Sequence, residues 1–495
     1  MQQPFMWIDT GDGWRLINDS EQPVTALAGF SVQWGTDSPA DQPEPAVLSF
    51  GLLDRTGHVA GHAATFAGLR VLIQLSAQPC YSDLTDAPYH SCAASAASLH
   101  ATYTPPKPSS TMSSATTIFD GIVSTGGEIE KTSRGWIISL SATSRMVLWK
   151  RMQSQGPTSS DARYAGQHWI GSPKDRLTEL NRRAAEASAP QALTDGLDLP
   201  TACTPYQDDY PSQLDLLHRL FATNRRFPLW CETPSGDKTA ISATMLADVT
   251  PVGIDDTGRL FVRHGSEKRP ALTGDMVSAD AAFAVPEPYT QLTIKTKQVK
   301  ENGDGGLEYS DADTIIGATS LPAQLKTTQK SLSIESDVPT SSTTTKWQQI
   351  WQPSDTDRAA VDTLLTTIDL RLRPQNVVFD SLHVDPARRP ELYVCSPSGA
   401  MLLSGIVASG LTGTDGRPSV SGAWTTIGGT LTFSWQDGRP RFRHETTLWP
   451  LPQSSTSVAW QDLTSWTAAF DLLHTVTIAE IGIVTDFTTS TSQEG

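Results

Sequence analysis

The sequence predicts a mainly β chain with an α+β middle, in which two related β-barrels flank the α+β insert. Three observations predict this class. Charged residues make up only 18% of the 495 positions and hydrophobic residues 38%; Ser, Thr and Gly fill much of the difference, a balance suited to sheets joined by turns. Short runs of alternating apolar and polar residues recur, each closed by turn residues. A strand-like octapeptide occurs twice, as 118–125 (IFDGIVST) and 402–409 (LLSGIVAS). A chain of this length divides into about three or four domains. The expected division is a first barrel over 1–155 carrying a long inserted loop at 78–117, an α+β middle over 156–335, a second barrel over 336–450, and a C-terminal extension over 451–495.

Along the chain, residues 24–34 (VTALAGFSVQW) and 45–54 (PAVLSFGLLD) read as strands, the second ending in the turn Asp54-Arg55-Thr56-Gly57. Residues 69–77 form a third strand. Composition then changes: 78–117 is rich in Ala, Ser, Thr and Pro and holds Pro105-Pro106-Lys107-Pro108, as in an exposed arm. Strand signals return at 118–124 and 135–142. Residues 173–187 read as a helix with Ser172 as N-cap and Pro173 at the first helical position. A second helix over 211–224 carries Leu214, Leu217, Leu220 and Phe221 on one face. Strands at 227–232 and 238–243 form a hairpin about Pro234-Ser235-Gly236-Asp237. Further strands are expected at 258–264 and 289–299, a Gly-driven turn at 301–308, a Ser/Thr linker at 336–346 and a capped helix at 354–367. The last strands fall at 391–395, 401–408, 419–427 and 429–435, the last followed by an Asp437-Gly438 hairpin turn.

The two octapeptides share two apolar residues, one polar residue and then Gly-Ile-Val, and each precedes a Trp-containing strand pair, around Trp136 and Trp424. Gly121, Ile122, Val123, Gly405, Ile406 and Val407 are therefore the expected equivalent positions of a structural repeat. A glycine inside a strand marks a close backbone approach or a kink.

Several chemistries lack their motifs. There is no Gly-x-Ser-x-Gly elbow, no Gly-Lys dipeptide for a phosphate loop and no Gly-x-Gly-x-x-Gly. In 58–62 (HVAGH) the position after the first His, which a zinc protease fills with Glu, is Val59, and Gly57 and Gly61 interrupt a helix. The acidic pairs Asp208-Asp209 and Asp255-Asp256 sit in polar loops. No catalytic residue, cofactor site or metal site is expected, and the chain is read as a non-enzyme. The net charge of −16 argues against a surface that grips phosphates and predicts that any wall facing nucleic acid is richer in acids than in bases. Among five Cys, with no Cys-x-x-Cys, Cys80 and Cys92 could pair across a loop, but a reducing cytoplasm would keep them as thiols. The N-terminus has neither the basic nor the apolar region of a signal peptide, and no run of 18 apolar residues spans a membrane. Fourteen Trp suit barrel cores, with subunit interfaces as the second use.

Residues 30–56 (FSVQWGTDSPADQPEPAVLSFGLLDRT) carry a family resemblance. A strand ending at Trp34-Gly35, an acidic stretch from Asp37 to Asp41, Gln42-Pro43-Glu44-Pro45 and a strand closed by Leu53-Asp54-Arg55-Thr56-Gly57 resemble the opening of tail-tip minor proteins of phages infecting actinobacteria. Phe119, Gly121 and Val123 stand where that family has Phe-x-Gly-x-Ile/Val; Ser212 to Leu217 and the hairpin over 227–243 follow in its order. The order of elements covers roughly residues 15–450. The insertion at 78–117 and the segment after 450 depart from it. The resemblance implies a baseplate-hub-like homotrimer, its two barrels per chain forming part of a pseudo-sixfold ring. The implied partners are a distal tail or tube ring protein, the tape-measure protein, and receptor-binding or fibre proteins, with DNA in non-specific transit. The implied place is the tail tip of a virion, after synthesis in a host cytoplasm. Two other readings remain: a hexameric distal tail ring protein, which is usually shorter with one barrel, and a carbohydrate-binding or glycoside-active tail protein, which would need exposed Trp in a groove.

Overall fold

The computed structural model describes residues 4–18, 25–37, 41–75, 115–152, 173–193, 212–221, 228–235 and 238–245, short segments between 249 and 335, then 376–378, 393–395, 406–407 and 423–450. The expected loop at 78–117, apart from its last three residues, lies outside these. So do the linker at 336–346, the helix at 354–367, the extension at 451–495, Cys80, Cys92 and both acidic pairs.

Most of the described residues up to 150 are antiparallel sheet: β1 (Phe5–Asp9), β2 (Trp14–Leu16), β3 (Thr25–Gly35), β4 (Val47–Asp54), β5 (Arg70–Leu75), β6 (Thr116–Val123), β7 (Glu128–Thr132) and β8 (Gly135–Ser144). Three helices follow, Val147–Arg151, Pro173–Glu186 and Gln213–Phe221, with β9 (Gln191–Ala192) between the last two. Next come the hairpin β10 (Pro228–Ser235) and β11 (Lys238–Met245), and β12 (Val249–Ile254), β13 (Leu260–His264), β14 (Glu267–Pro270), β15 (Leu272–Thr273) and β16 (Ala282–Ala284). Then follow β17 (Gln291–Lys295), β18 (Lys297–Glu301), β19 (Leu307–Asp311), β20 (Thr314–Gly317), β21 (Ser331–Glu335), β22 (Asn376–Val378), β23 (Ile406–Val407), β24 (Ala423–Gln436) and β25 (Arg439–Pro450). The described chain is thus mostly antiparallel β with few helices.

One twelve-stranded sheet dominates, in the order β15-β23-β24-β3-β4-β8-β6-β5-β1-β2, with β25 beside β24 and β7 beside β8. It joins segments about 400 residues apart: β24 pairs with β3 from Gly428 opposite Gly35 to Ser434 opposite Gly29. The path through the described strands is open. Alternation aims one face inward. Two rows of directly opposed residues, Leu431–Val32–Leu48–Ala142 and Phe433–Phe30–Phe50–Leu140, form the floor of the main core. Phe30 stacks on Phe433 with centroids 5.4 Å apart. At β8 the sheet turns: residues 135–139 pair with β7, whereas 142–144 pair with β6. Strands β6, β5 and β1 thereby place Ile118, Ile73 and Met6 in the same core. A second core gathers Trp149, Leu177, Leu180, Leu214, Leu217, Trp230 and Ile241 from the helices and the β10–β11 hairpin.

Of the expected strand at 391–395, residues 393–395 are described and form no strand, and two further strand boundaries differ from expectation. Residues 289–299 are divided between β17, which pairs with β20 and β21, and β18, which pairs with β19. The apolar positions explain the division: Leu292 and Ile294 are in phase with each other, and Val299 is not, so one unbroken strand would put them on opposite faces. The expected strands 419–427 and 429–435 are a single strand, β24, with a bulge between Thr426 and Gly428. A Cβ on Gly428 would lie 2.6 Å from the Thr36 carbonyl oxygen, so glycine here permits the strand to continue rather than ending it. The turn after β24 is as expected, with Asp437 at φ 51° and Gly438 at φ 72°. The turn in 301–308 joins β18 to β19.

Asp54 closes β4. Its Oδ1 accepts the Thr56 and Gly57 N–H groups and the Thr56 hydroxyl, each at 2.9 Å, and its Oδ2 accepts the Ala60 N–H at 2.8 Å. Burial alone would raise its pKa; these four hydrogen bonds outweigh burial and hold the carboxyl below its usual range. The folded-state pKa is depressed, so this stabilisation is present above the unfolded value and is lost as pH falls through the folded one. Asp54→Ala is expected to cost about 3 kcal/mol, read as a shift in the denaturation midpoint.

Candidate functional site

The side of the main sheet facing away from the core is the most regular surface in the described chain. Its residues align across four strands. Thr432, Ser31, Ser49 and Ser141 are opposed in one row; Ser434, Gly29, Gly51 and Ser139 in the next; and Thr430, Gln33, Val47 and Thr143 on the other side of the first. Directly opposed residues project to the same face. None of these twelve positions carries a charge, and most are Ser, Thr or Gly. Seven of them, Gly29, Ser31, Ser49, Gly51, Ser139, Ser141 and Thr432, line with the 125–128 turn an open, shallow depression of about 670 Å³, too exposed to enclose a substrate. The sequence carried the signal, since each of FSV, LSFG and ISLSA interleaves large apolar residues with Ser or Gly. The alignment of three distant segments into one floor was not readable.

Charge lies at the two rims. On β25, Arg441 is opposite Ser434 and Arg443 opposite Thr432, with Arg439 one pair further along, opposite Gln436. On β7, Glu128 is opposite Ser139 and Glu130 opposite Ile137.

The expected repeat positions fall as follows. Gly121, Ile122 and Val123 end β6, where Gly121 is opposite Val71 and Ser144 and Val123 is opposite Ala142. A Cβ on Gly121 would lie 2.6 Å from the Thr143 carbonyl oxygen and from the Phe119 ring. Ile406 and Val407 form β23, opposite Trp424 and Ala423 of β24 and, on the other side, parallel to β15. Gly405 lies outside the described residues. The structure does not bring the two triplets together. Their partner strands also differ: β6 pairs with the end of the second strand of a hairpin, β23 with the start of the first.

Beside Gly121 sits the densest ionic cluster. Arg70 grips Asp120 in a two-pronged bond, Nε to Oδ1 at 2.8 Å and Nη2 to Oδ2 at 2.7 Å. Arg145 approaches the same carboxylate at 3.9 Å, and the Thr239 hydroxyl donates to it. Glu232 of β10 accepts the Met146 N–H at 2.5 Å. This cluster fastens β6 to the β10–β11 hairpin, and so the main core to the second. Only about 10 Å³ of space lies among Asp120, Ser144, Glu232 and Thr239, too little for a ligand. Glu232 as a whole is half-buried, and its carboxyl is enclosed. Burial, helped by the Asp120 charge, pushes its pKa up from 4.5 to about 8 against the opposing Met146 N–H and Arg145. His444 is the reverse case. It is buried, accepts the Trp34 Nε1–H at its Nε2 at 3.0 Å, and burial lowers its pKa to about 3.

In the HVAGH segment the His62 Nδ1 is 2.9 Å from the His58 carbonyl oxygen, and no group of three metal-ligating side chains occurs among the described residues. Trp7, Trp34, Trp149 and Trp230 are buried, whereas Trp435 is 41% exposed. No helix among the described residues is long and apolar enough to cross a membrane.

No protein-family profile matches the chain, and no curated protein matches it. Solved structures do. A tail protein from Neisseria meningitidis MC58 aligns at 8% identity and a TM-score of 0.44, covering 90% of this chain and 97% of that one. A 43 kDa tail protein of prophage MuSo2 from Shewanella oneidensis aligns at 10% identity and a TM-score of 0.45, covering 91% and 99%. A type VI secretion component of Escherichia coli, described as structurally similar to two phage T4 tail proteins, aligns at 9% identity and a TM-score of 0.32, covering 87% and 74%.

Two measurements check the electrostatics. Asp120→Ala leaves the Arg70 and Arg145 cations facing no carboxylate and is expected to destabilise by about 3 kcal/mol, with Asp120→Asn intermediate. Glu232 has a raised folded-state pKa, so its contribution is complete below 4.5 and is lost as pH rises toward 8. Glu232→Gln should therefore remove a fall in melting temperature between pH 5 and 8 that the unaltered protein shows. His444 acts at the other end: its stabilisation is present above 6.5 and is lost as pH falls toward 3.

Proposed function

We propose that this chain is the structural hub subunit of a bacteriophage-type tail tip. Three copies form a ring, and each supplies to its inner wall the one sheet in which β24 and β25 join β3, β4, β8 and β7, so that parts of 1–155 and of 336–450 build the wall together. The ring joins the distal tail tube to receptor-binding parts, houses the end of the tape-measure protein and lets DNA pass outward. The observation that carries this reading is the uncharged face of β24, β3, β4 and β8. Ten of the twelve aligned positions are Ser, Thr or Gly and none is a cation, which suits a wall past which a polyanion slides, since each phosphate neutralised adds affinity and retards passage. The order of sequence motifs, from Trp34-Gly35 through Asp54 to the hairpin over 227–243, supports the same class. Within this account Asp120 and Asp54 are structural and no reaction is assigned.

The face is tested by adding charge to it. Ser49→Arg with Ser141→Arg should leave the melting temperature and tail assembly intact but slow genome release. Unaltered protein should not retain duplex DNA at about 10 µM in 0.15 M salt. Release unaffected by the two arginines, or tight duplex binding by the unaltered protein, would overturn the assignment of this face to the passage.

A further inference from the structure

The two rims of the main sheet are complementary to each other. The segment β25-β24-β3-β4-β8-β7 contains six strands, every neighbouring pair antiparallel. Among the described strands its outermost members each pair with one strand: β25 with β24, and β7 with β8. One row crosses all six, Arg441–Ser434–Gly29–Gly51–Ser139–Glu128, so Arg441 at one rim and Glu128 at the other stand level and on the same face. Moving one pair along in the same direction reaches Arg439 on β25 and Glu130 on β7, each about 7 Å from the first, the repeat of alternate residues in a strand. Arg439, Arg441, Glu128 and Glu130 are all exposed. Each rim also leaves an apolar side chain uncovered: Ile129 on β7 is 47% exposed, and Trp435, beside the start of β25, is 41% exposed.

We infer that the arginine rim of one copy docks against the glutamate rim of the next, with Arg441 facing Glu128 and Arg439 facing Glu130. The occupant of each rim is a second copy of this chain. Three features select it. Charge, spacing and level match between the rims, as a partner unrelated to this chain would have no cause to do. Six is an even number of strands, so β25 of one copy meets β7 of its neighbour antiparallel, and the alternation of the wall passes across the seam unbroken. The two rims differ, so the contact is head-to-tail, the kind that closes into rings rather than into two-fold dimers. Because β22 lies close to β25 without pairing to it, the seam is assigned to the side chains above and below the rim and not to a long backbone ladder. It also places like charge against like charge in any arrangement joining two identical rims, which opposes wrong closure.

This inference rests on the ring reading above and names the surface that closes the ring. Its test is the mass of the full chain in solution at 0.05 and 0.5 M salt, with the melting temperature as a control for folding. The unaltered protein should form a particle of about 160 kDa from chains of 53.4 kDa, dissociating in part at the higher salt. The rim variant Arg439→Glu with Arg441→Glu, and separately Glu128→Arg with Glu130→Arg, should each give 53.4 kDa monomers that melt as the unaltered protein does. All four changes in one chain should restore the assembly. Rim variants that still assemble, or a fourfold variant that melts normally and stays monomeric, would overturn the rim assignment while leaving the ring reading in place. An unaltered chain that is monomeric at both salt concentrations would overturn both.

Discussion

The pairing of β3 with β24 is the constraint on which the rest depends. It joins residues 29–35 to 428–434, a separation of about 400 residues, and loop closure over that length costs about 5 kcal/mol. Burial of Phe30, Val32, Leu431 and Phe433, at about 2 kcal/mol each, offsets that cost. Register is set at the same place. A slip of one residue would send Phe30 and Phe433 into solvent and Ser31 and Thr432 into the core. The Trp34 Nε1 bond to His444 gives the same register a polar check, since both groups are buried and each would lose its partner in a shifted pairing. The neutral face, the two charged rims and the position of the C-terminal hairpin all follow from this one alignment.

The second constraint is how the main core is tied to the smaller one. Asp120 lies in a strand next to the glycine that lets β6 approach β8, and it gathers cations from β5 and from the end of β8 with a hydroxyl from β11. Burial pushes the Glu232 carboxyl toward its neutral form, which limits the repulsion that a second full negative charge would bring to Asp120. The cluster is therefore a fastening rather than a reaction centre: its members face one another and leave no room for a substrate.

Much of this organisation was legible locally. Alternation marked β3, β4, β5, β6 and β8 to within a few residues, Pro173 and the Leu spacing marked two helices, and Asp437-Gly438 marked the last hairpin. The failures share a cause. Strand β7, with Glu128, Glu130 and Lys131, has no apolar alternation to detect, and becomes a strand because β8 offers it a partner. Gly428 and Gly429 read as a break because a glycine pair weakens a strand locally, whereas here close approach of another strand requires one of them. The candidate face was half legible. Ser and Gly between large apolar residues told that β3, β4 and β8 have a small-residue side, but only the distant pairing showed that these sides share one surface with Thr432 and lie between opposite charges.

A reconstruction of assembled tail tips by electron cryo-microscopy tests the central claim most directly. The account predicts a threefold tip in which Ser31, Ser49 and Ser141 face the axis and Arg441 of each copy meets Glu128 of its neighbour. A sixfold ring of single barrels, or a tip in which this face is buried against another sheet or turned to the outside, would contradict it.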